Sequence, residues 1–272
     1  MSFNLDLSWS DSIFWYKSCL FNKRINSDVL KKSIFCLCFG MVFQFAFSQI
    51  QLDDLPNIKS VILKPVGANR YAPIIRLGET LTLSFDDLIA DEHDYTFKIE
   101  HCDYDWEPSK LISSEFIDGY SEDRIKDYEN SFNTLQPYTH YQLRIPNAST
   151  RIKISGNYKL HVLDEEGTTV FTRRFVVYEQ KVTVGVAIFK SRDISKIEKK
   201  QSVEFTINYP NFRINNPGTE IIPVILQNNN WQTANVGLKP QYYRGTQLLY
   251  KYNKETSFWG GNEFLYFDSK SI

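Results

Sequence analysis

Apolar and polar residues alternate with a period of two along much of the chain from Leu52 onward. In a pleated strand this spacing places apolar side chains on one face and polar side chains on the other. The clearest alternation lies in the segments 81–85, 141–145 and 203–207. Each of these segments is therefore predicted to be a strand with one buried face.

A β-hairpin is predicted in the middle of the chain. Tyr158, Leu160 and Val162 share one strand face, and the sequence Asp-Glu-Glu-Gly follows at 164–167. Glycine adopts the positive φ that a tight turn requires, so a second strand is expected at 168–178.

Helical patterning is weak after residue 52. The segments 87–91 and 122–129 are the best helical candidates, and both are predicted to be single turns or short connections. Strands separated by turn signals every eight to fifteen residues are typical of antiparallel sandwiches. The composition changes near 179–181, so we predict an all-β fold with one β-sandwich at 52–178 and a second at 180–272.

The N-terminal part has the pattern of an export signal. In segment 31–48, two lysines precede about fifteen mostly apolar residues that end in Ala-Phe-Ser, as in a secretory signal peptide. The apolar run is shorter than the roughly 20 residues that span a bilayer. Residues 1–30 form an extension whose three aspartates do not fit a basic leader, and we hypothesise that translation starts near Leu30.

Removal of this leader changes the cysteine count and the charge. Three of the four cysteines lie before residue 49, so Cys102 is the one thiol left and has no internal disulfide partner. Residues 1–48 also carry five of the 31 Lys/Arg residues and three of the 32 Asp/Glu residues, so their removal leaves 26 against 29, or a net charge of −3. A weakly acidic chain lacks the basic patch expected of a nucleic-acid-binding protein.

Candidate chemical groups cluster after the strand predicted at 95–101. His101, Asp103 and Asp105 would share one face of an extended strand, which is a possible metal-binding arrangement. The same face carries apolar residues before His101, so we favour a core face that runs into a polar loop. Cys102 and His101 are adjacent and point to opposite faces, and the acidic connection 86–94 lacks the ligand spacing of a calcium loop.

No catalytic motif or cofactor-binding motif is recognisable in the sequence, and we predict no enzyme, no cofactor and no metal.

Trp106 and Trp231 differ from the other aromatic residues because each lies beside a predicted loop. Each is interpreted as either a plug on the end of its own sandwich or an anchor for a partner protein.

Long stretches of the chain resemble a known family. They include PIIRLGETLTLSFDDL at 73–88 and YTFKIEHCDYDW at 95–106, and they continue at 127–147, 151–167, 171–179 and 227–252. In unbroken order, these stretches are similar to the type IX secretion system plug protein of Bacteroidetes. The resemblance covers about residues 50 to 270.

The resemblance implies a fold of tandem immunoglobulin-like β-sandwiches and a non-enzymatic role in the periplasm. Family members are similar in closing the periplasmic end of the outer-membrane β-barrel translocon when it is idle, so the implied partner is that barrel. The implied location is the inner side of the outer membrane, with no membrane span after processing. Family members continue beyond residue 272, and we therefore expect the second sandwich to be truncated at its C-terminus.

A second function remains open at this point. The aromatic content, with Trp106 and Trp231 near loops, is also typical of a carbohydrate-binding or adhesin-like β-sandwich module of the cell envelope.

Overall fold

Strands dominate the part of the chain that a computed structural model describes, residues 55–67 and 72–261. These residues all belong to one compact unit that spans 51–272. The predicted extension 1–30, the leader 31–48 and the last eleven residues lie outside the described part. We call residues 58–178 the first β-region and residues 183–259 the second β-region.

The first β-region has the following bounds: β1 (Ile58–Pro65), β2 (Ile74–Arg76), β3 (Leu81–Asp87), β4 (Thr96–Cys102), α1 (Ser113–Phe116), β5 (Ile117–Gly119), β6 (Glu122–Arg124), β7 (Asp127–Asn130), β8 (Thr139–Ile145), β9 (Thr150–Ile152), β10 (Gly156–Leu163) and β11 (Thr169–Tyr178). The second β-region comprises β12 (Thr183–Lys190), β13 (Lys200–Asn208), α2 (Pro217–Glu220), β14 (Val224–Ile225), β15 (Asn235–Val236), β16 (Tyr242–Arg244), β17 (Gln247–Tyr250) and β18 (Ser257–Trp259).

Two main sheets form the first β-region. One has the order β1-β3-β8-β7 and the other has the order β2-β11-β10-β4-β6, while β5 and β9 make a separate two-stranded ladder. Every pairing in the two main sheets is antiparallel except that of β2 with β11, which is parallel. The predicted all-β, antiparallel class is therefore confirmed, with one parallel pair at a sheet edge.

Aromatic rings fill the core between these sheets. Phe85 of β3 stacks on Tyr141 of β8 with ring centroids 5.0 Å apart. It also meets Tyr95 and Phe171 edge to face, at 5.3 Å and 5.1 Å. The predicted strands 81–85 and 141–145 are confirmed, because their alternating apolar residues all point into this core.

The predicted hairpin is also confirmed. Strands β10 and β11 pair antiparallel, and Gly167 in the connecting turn has φ +79°. The carboxylate of Asp164 accepts hydrogen bonds from the backbone N–H groups of Glu166 (3.0 Å) and Thr168 (2.8 Å). The side chain of Asp164 thus satisfies backbone donors that the tight turn leaves unpaired.

The second β-region is built on one five-stranded sheet. Its order is β12-β13-β17-β16, and β18 pairs with the other half of β13. A separate cluster of buried residues lies on one face of this sheet, with Phe205 stacked on Tyr250 at 4.2 Å. The described residues therefore contain two separate cores, and the boundary near 179–181 and the second sandwich stay predictions.

The segment 122–129 is not helical. It contributes β6, which pairs with β4, and β7, which pairs with β8. These two short strands occupy edges of the two main sheets, where backbone pairing with an existing strand outweighs the local sequence pattern. Pairing with distant residues explains why periodicity alone did not find them.

Replacement of Phe85 by alanine should strongly destabilise the first β-region. Loss of a fully buried ring leaves a cavity, so we expect the free energy of unfolding to fall by about 3–5 kcal/mol. Phe132→Ala is the matched control, because Phe132 is 94% exposed and the same truncation there should change stability by less than about 0.5 kcal/mol. Urea denaturation measures both values, and equal losses would contradict the assigned core.

Candidate protein-interaction surfaces

His101 and Cys102 lie at the end of β4, where each is enclosed by the fold. The imidazole of His101 contacts Ser109 Oγ at 2.8 Å and packs edge to face on Tyr158. A side chain at Gly156 would come within 2.3 Å of His101 Nε2, so this position requires glycine. Burial lowers the pKa of His101 and raises the pKa of the Cys102 thiol to about 11. Both groups are therefore neutral at ordinary pH and act as packing residues.

The loop after β4 places Asp103 and Asp105 in a tight turn. Asp103 N–H donates to the carbonyl of Glu107, and the Asp105 carboxylate accepts from the Glu107 N–H. The described residues contain no group of three or more His, Cys, Asp or Glu side chains with metal-site geometry. The structure therefore does not bring His101, Asp103 and Asp105 together as a metal centre.

Asp87 organises the acidic connection between β3 and β4. Its side chain is fully buried and accepts hydrogen bonds from Asn57 Nδ2 (2.8 Å), Ile89 N–H (3.0 Å) and Tyr95 Oη (2.9 Å). His93 Nδ1 lies 3.0 Å from the second carboxylate oxygen. Burial alone would raise the pKa of Asp87, but these hydrogen bonds outweigh it and lower the pKa below its ordinary value.

The other carboxylates of this connection also have protein partners. Asp86 contacts His140 Nδ1, and Asp94 forms an ion pair with Arg124. Glu92 accepts hydrogen bonds from Tyr128 Oη and Asn130 Nδ2, both at 2.9 Å. These contacts fix the connection against the neighbouring strands β6, β7 and β8.

Trp106 and Trp231 lie against each other. Their ring centroids are 4.8 Å apart and their planes are nearly perpendicular at 87°. The guanidinium of Arg174 lies over the Trp106 ring, also at 4.8 Å. Trp106 is buried and has φ +70°, a left-handed conformation that is rare for a bulky residue. The pair therefore joins a loop of the first β-region to a 3₁₀ turn of the second.

This contact changes the interpretation of both tryptophans. Trp106 is covered by Trp231 and Arg174, so its ring face is not available to stack on a sugar. Trp231 is partly exposed. A role for either residue as a partner anchor stays a prediction, and the burial of Trp106 removes one of the two tryptophans that motivated the carbohydrate-binding alternative.

Strand β12 exposes an apolar edge. Val184, Val186 and Ile188 are 52%, 61% and 63% exposed, although they lie on the same sheet face as the buried Phe205 and Ile207. Within the described residues, β12 is the end strand of its sheet. An edge of this kind leaves backbone hydrogen-bonding groups available for pairing with another strand.

A loop of the first β-region also exposes apolar side chains. Phe132 is 94% exposed and Leu135 is completely exposed, in the connection between β7 and β8. The sequence alone did not identify either residue, because the type of an apolar residue does not show whether it lies in an exposed loop or in the core. The available signal was their position between Ser131, Asn133 and Pro137, all common in turns.

The fold defines the first β-region as an antiparallel β-sandwich. Residues 58–179 match the family described as type 9 secretion system plug protein 1st domain. This match is to the type IX secretion system plug family that the sequence resemblance predicted. Among the described residues, no helix has the length and apolar character needed to cross a membrane.

A solved structure supports the fold assignment over a longer part of the chain. A hypothetical protein from Parabacteroides merdae ATCC 43184, with a crystal structure at 2.30 Å resolution, is 32% identical and superimposes with a TM-score of 0.74. The match covers 78% of this chain and 54% of that chain, so the chain spans about half the length of this relative. No curated protein matches the chain.

Replacement of Asp87 by asparagine should destabilise the first β-region at neutral pH. The amide has one acceptor oxygen in place of two and no charge, so we expect a loss of about 2 kcal/mol. A carboxylate with a lowered folded-state pKa stabilises the fold above its unfolded pKa of about 3.9, and that stabilisation disappears as pH falls through the folded pKa. The difference between wild type and Asp87→Asn should therefore shrink below about pH 4.

The matched control is Asp118→Asn, because Asp118 is exposed on β5. Chemical denaturation between pH 3 and pH 7 measures both differences. A constant difference between wild type and Asp87→Asn across this range would contradict the role assigned to the carboxylate.

Replacement of Trp231 by alanine should loosen the loop that carries Trp106. Loss of the edge-to-face contact should lower the free energy of unfolding by about 1 kcal/mol. Amide hydrogen exchange at Asp103 and Trp106, whose N–H groups close this loop, should become faster. Trp259→Ala is the control, since Trp259 is half exposed and belongs to the second β-region. Unchanged exchange in Trp231→Ala would contradict the coupling.

Proposed function

We propose that this protein is a non-enzymatic periplasmic subunit of the type IX secretion system. In this role it closes the periplasmic end of the outer-membrane translocon barrel when the barrel is idle. The observation that carries the proposal is the family match over residues 58–179, which includes every strand of the first β-region. The predicted signal peptide at 31–48 supports export to the periplasm.

The construction of the first β-region suits a stopper. A close-packed aromatic core resists deformation, and this rigidity suits a body that blocks a pore. Phe85, Tyr141 and Tyr158 are completely buried, and strands on both sides of them are paired into extended sheets. Closing a wide aqueous opening requires surface and stiffness and no chemical step.

The groups most suited to chemistry have structural roles, which supports a binding function. Cys102 is a buried thiol whose pKa is raised to about 11, so the nucleophilic thiolate is scarce. His101 is held between Ser109, Tyr158 and Gly156. Protein association through edges and loops of a sandwich is a common use of such folds.

Deletion of the gene in its native host should make the outer membrane permeable to large solutes. An open translocon would admit molecules that normal porins exclude, so uptake of a large fluorescent dextran should rise severalfold. Protein export through the system should continue, because the proposed subunit closes the barrel and does not move cargo.

Complementation provides the control for this experiment. The wild-type gene should restore the barrier, whereas a version without the leader 31–48 should not, because it stays on the wrong side of the inner membrane. Normal dextran exclusion in the deletion strain would refute the closing role, and loss of export would indicate a different role in the same system.

A further inference from the structure

In the connection between β7 and β8, the large apolar side chains are exposed to solvent, which is the reverse of their usual arrangement. We call residues 131–138 the apolar loop. Its two large apolar side chains, Phe132 and Leu135, point to solvent, while three polar side chains of the loop take part in hydrogen bonds. Burial of either apolar side chain would contribute about 1.5–3 kcal/mol, so the hydrophobic effect alone favours the opposite arrangement.

Internal hydrogen bonds hold the apolar loop in this conformation. Ser131 Oγ accepts from the Tyr138 N–H at 2.8 Å, and Ser131 N–H donates to the Tyr138 carbonyl at 2.9 Å. Thr134 Oγ1 donates to the Gln136 carbonyl at 2.9 Å. Asn133 has φ +55°, a left-handed conformation that asparagine tolerates better than most residues. The loop is thus closed at its base and turned at its tip.

The apolar loop is also attached to the rest of the first β-region. Gln136 Nε2 donates to the carbonyl of Leu88 at 3.1 Å, in the connection between β3 and β4. The next residue, Ile89, is 58% exposed, and its N–H donates to the buried Asp87 carboxylate. The Asp87 network therefore supports the site where Phe132, Leu135 and Ile89 are presented.

A fixed conformation of exposed apolar side chains favours binding. A flexible loop loses conformational entropy when it docks, whereas a loop that is already ordered loses less. Large apolar side chains that enter a pocket are typical anchors of protein interfaces. Single exposed apolar residues are ordinary on protein surfaces. Phe132 and Leu135 differ because they lie within four residues of each other on a loop that is held by hydrogen bonds, so both side chains are available to the same partner.

The acidic residues around the apolar loop favour a partner with basic groups. The segments 86–94 and 127–140, the second of which includes the loop, contain seven Asp or Glu residues and no Lys or Arg. Asp87 is fully buried, so six of these carboxylates contribute to the surface charge. Of the nearby cations, Arg124 is paired with Asp94 and Lys126 lies 3.6 Å from the carboxylate of Asp123. An acidic surface is repelled by anionic lipid headgroups and attracted by basic groups on a protein. The observations therefore favour a protein pocket over a membrane surface.

We propose that the apolar loop is a docking element that inserts Phe132 and Leu135 into an apolar pocket on a partner protein, with Lys or Arg side chains at the pocket rim. The identity of the partner as a component of the type IX secretion system rests on the proposed function. The loop lies inside the segment 58–179 that defines the family match, whereas the exposed strand β12 lies outside it.

Site-specific photo-crosslinking tests this proposal in the native host. A photoreactive phenylalanine analogue at position 132 should form a covalent adduct with one identified envelope protein after illumination. The same analogue at Ile194, which is 87% exposed in the second β-region, is the matched control and should not form that adduct. Leu135→Ser combined with the probe at position 132 should reduce the adduct about tenfold.

The outcomes separate this proposal from the proposed function. An adduct with a secretion-system component that is weakened by Leu135→Ser and by high salt supports both the docking role of the loop and the proposed function. An adduct with the same dependence but with a protein outside that system supports docking and overturns the proposed function. An equal adduct from positions 132 and 194, or no adduct from position 132, overturns the docking role.

Purified protein supplies the second measurement. Phe132→Ser/Leu135→Ser should keep the melting temperature of the wild type, which shows that any lost adduct reflects a lost contact. Neither protein should float with vesicles of phosphatidylethanolamine and phosphatidylglycerol. If the wild type floats and Phe132→Ser/Leu135→Ser does not, the apolar loop binds a lipid surface and not a protein pocket. That result would overturn the proposal.

Discussion

Burial of one apolar face on every main strand is the constraint on which the first β-region depends. The alternating residues of β3, β8, β4 and β10 fit a common core only when the two sheets pack face to face, and Phe85 touches aromatic rings from both sheets. The polar faces then point to solvent, and the connecting loops gather at the ends of the sheets. The positions of the acidic connection 86–94 and of the apolar loop follow from this arrangement.

The predictable part of the fold is the part set by local periodicity. Strands β3, β8, β10 and β13 repeat apolar residues every second position, and the glycine turn at 164–167 marks the hairpin. By contrast, β6 and β7 have polar sequences and exist because β4 and β8 offer them backbone partners. The parallel pairing of β2 with β11 likewise depends on residues about a hundred positions apart.

The candidate sites were less predictable than the fold. The sequence placed Trp106 and Trp231 beside loops, but only their positions in space reveal that the two rings contact each other. The apolar loop escaped notice because exposure cannot be read from residue type. Its function as a docking element would give a rigid sandwich a defined point of attachment, and the acidic segments around it would select a basic partner.

Affinity purification from the native envelope tests the central claim most directly. A tagged full-length protein should be recovered, after gentle solubilisation, together with the outer-membrane barrel of the type IX secretion system. Recovery of the tagged protein without the barrel, under conditions that keep other envelope complexes intact, would contradict the account.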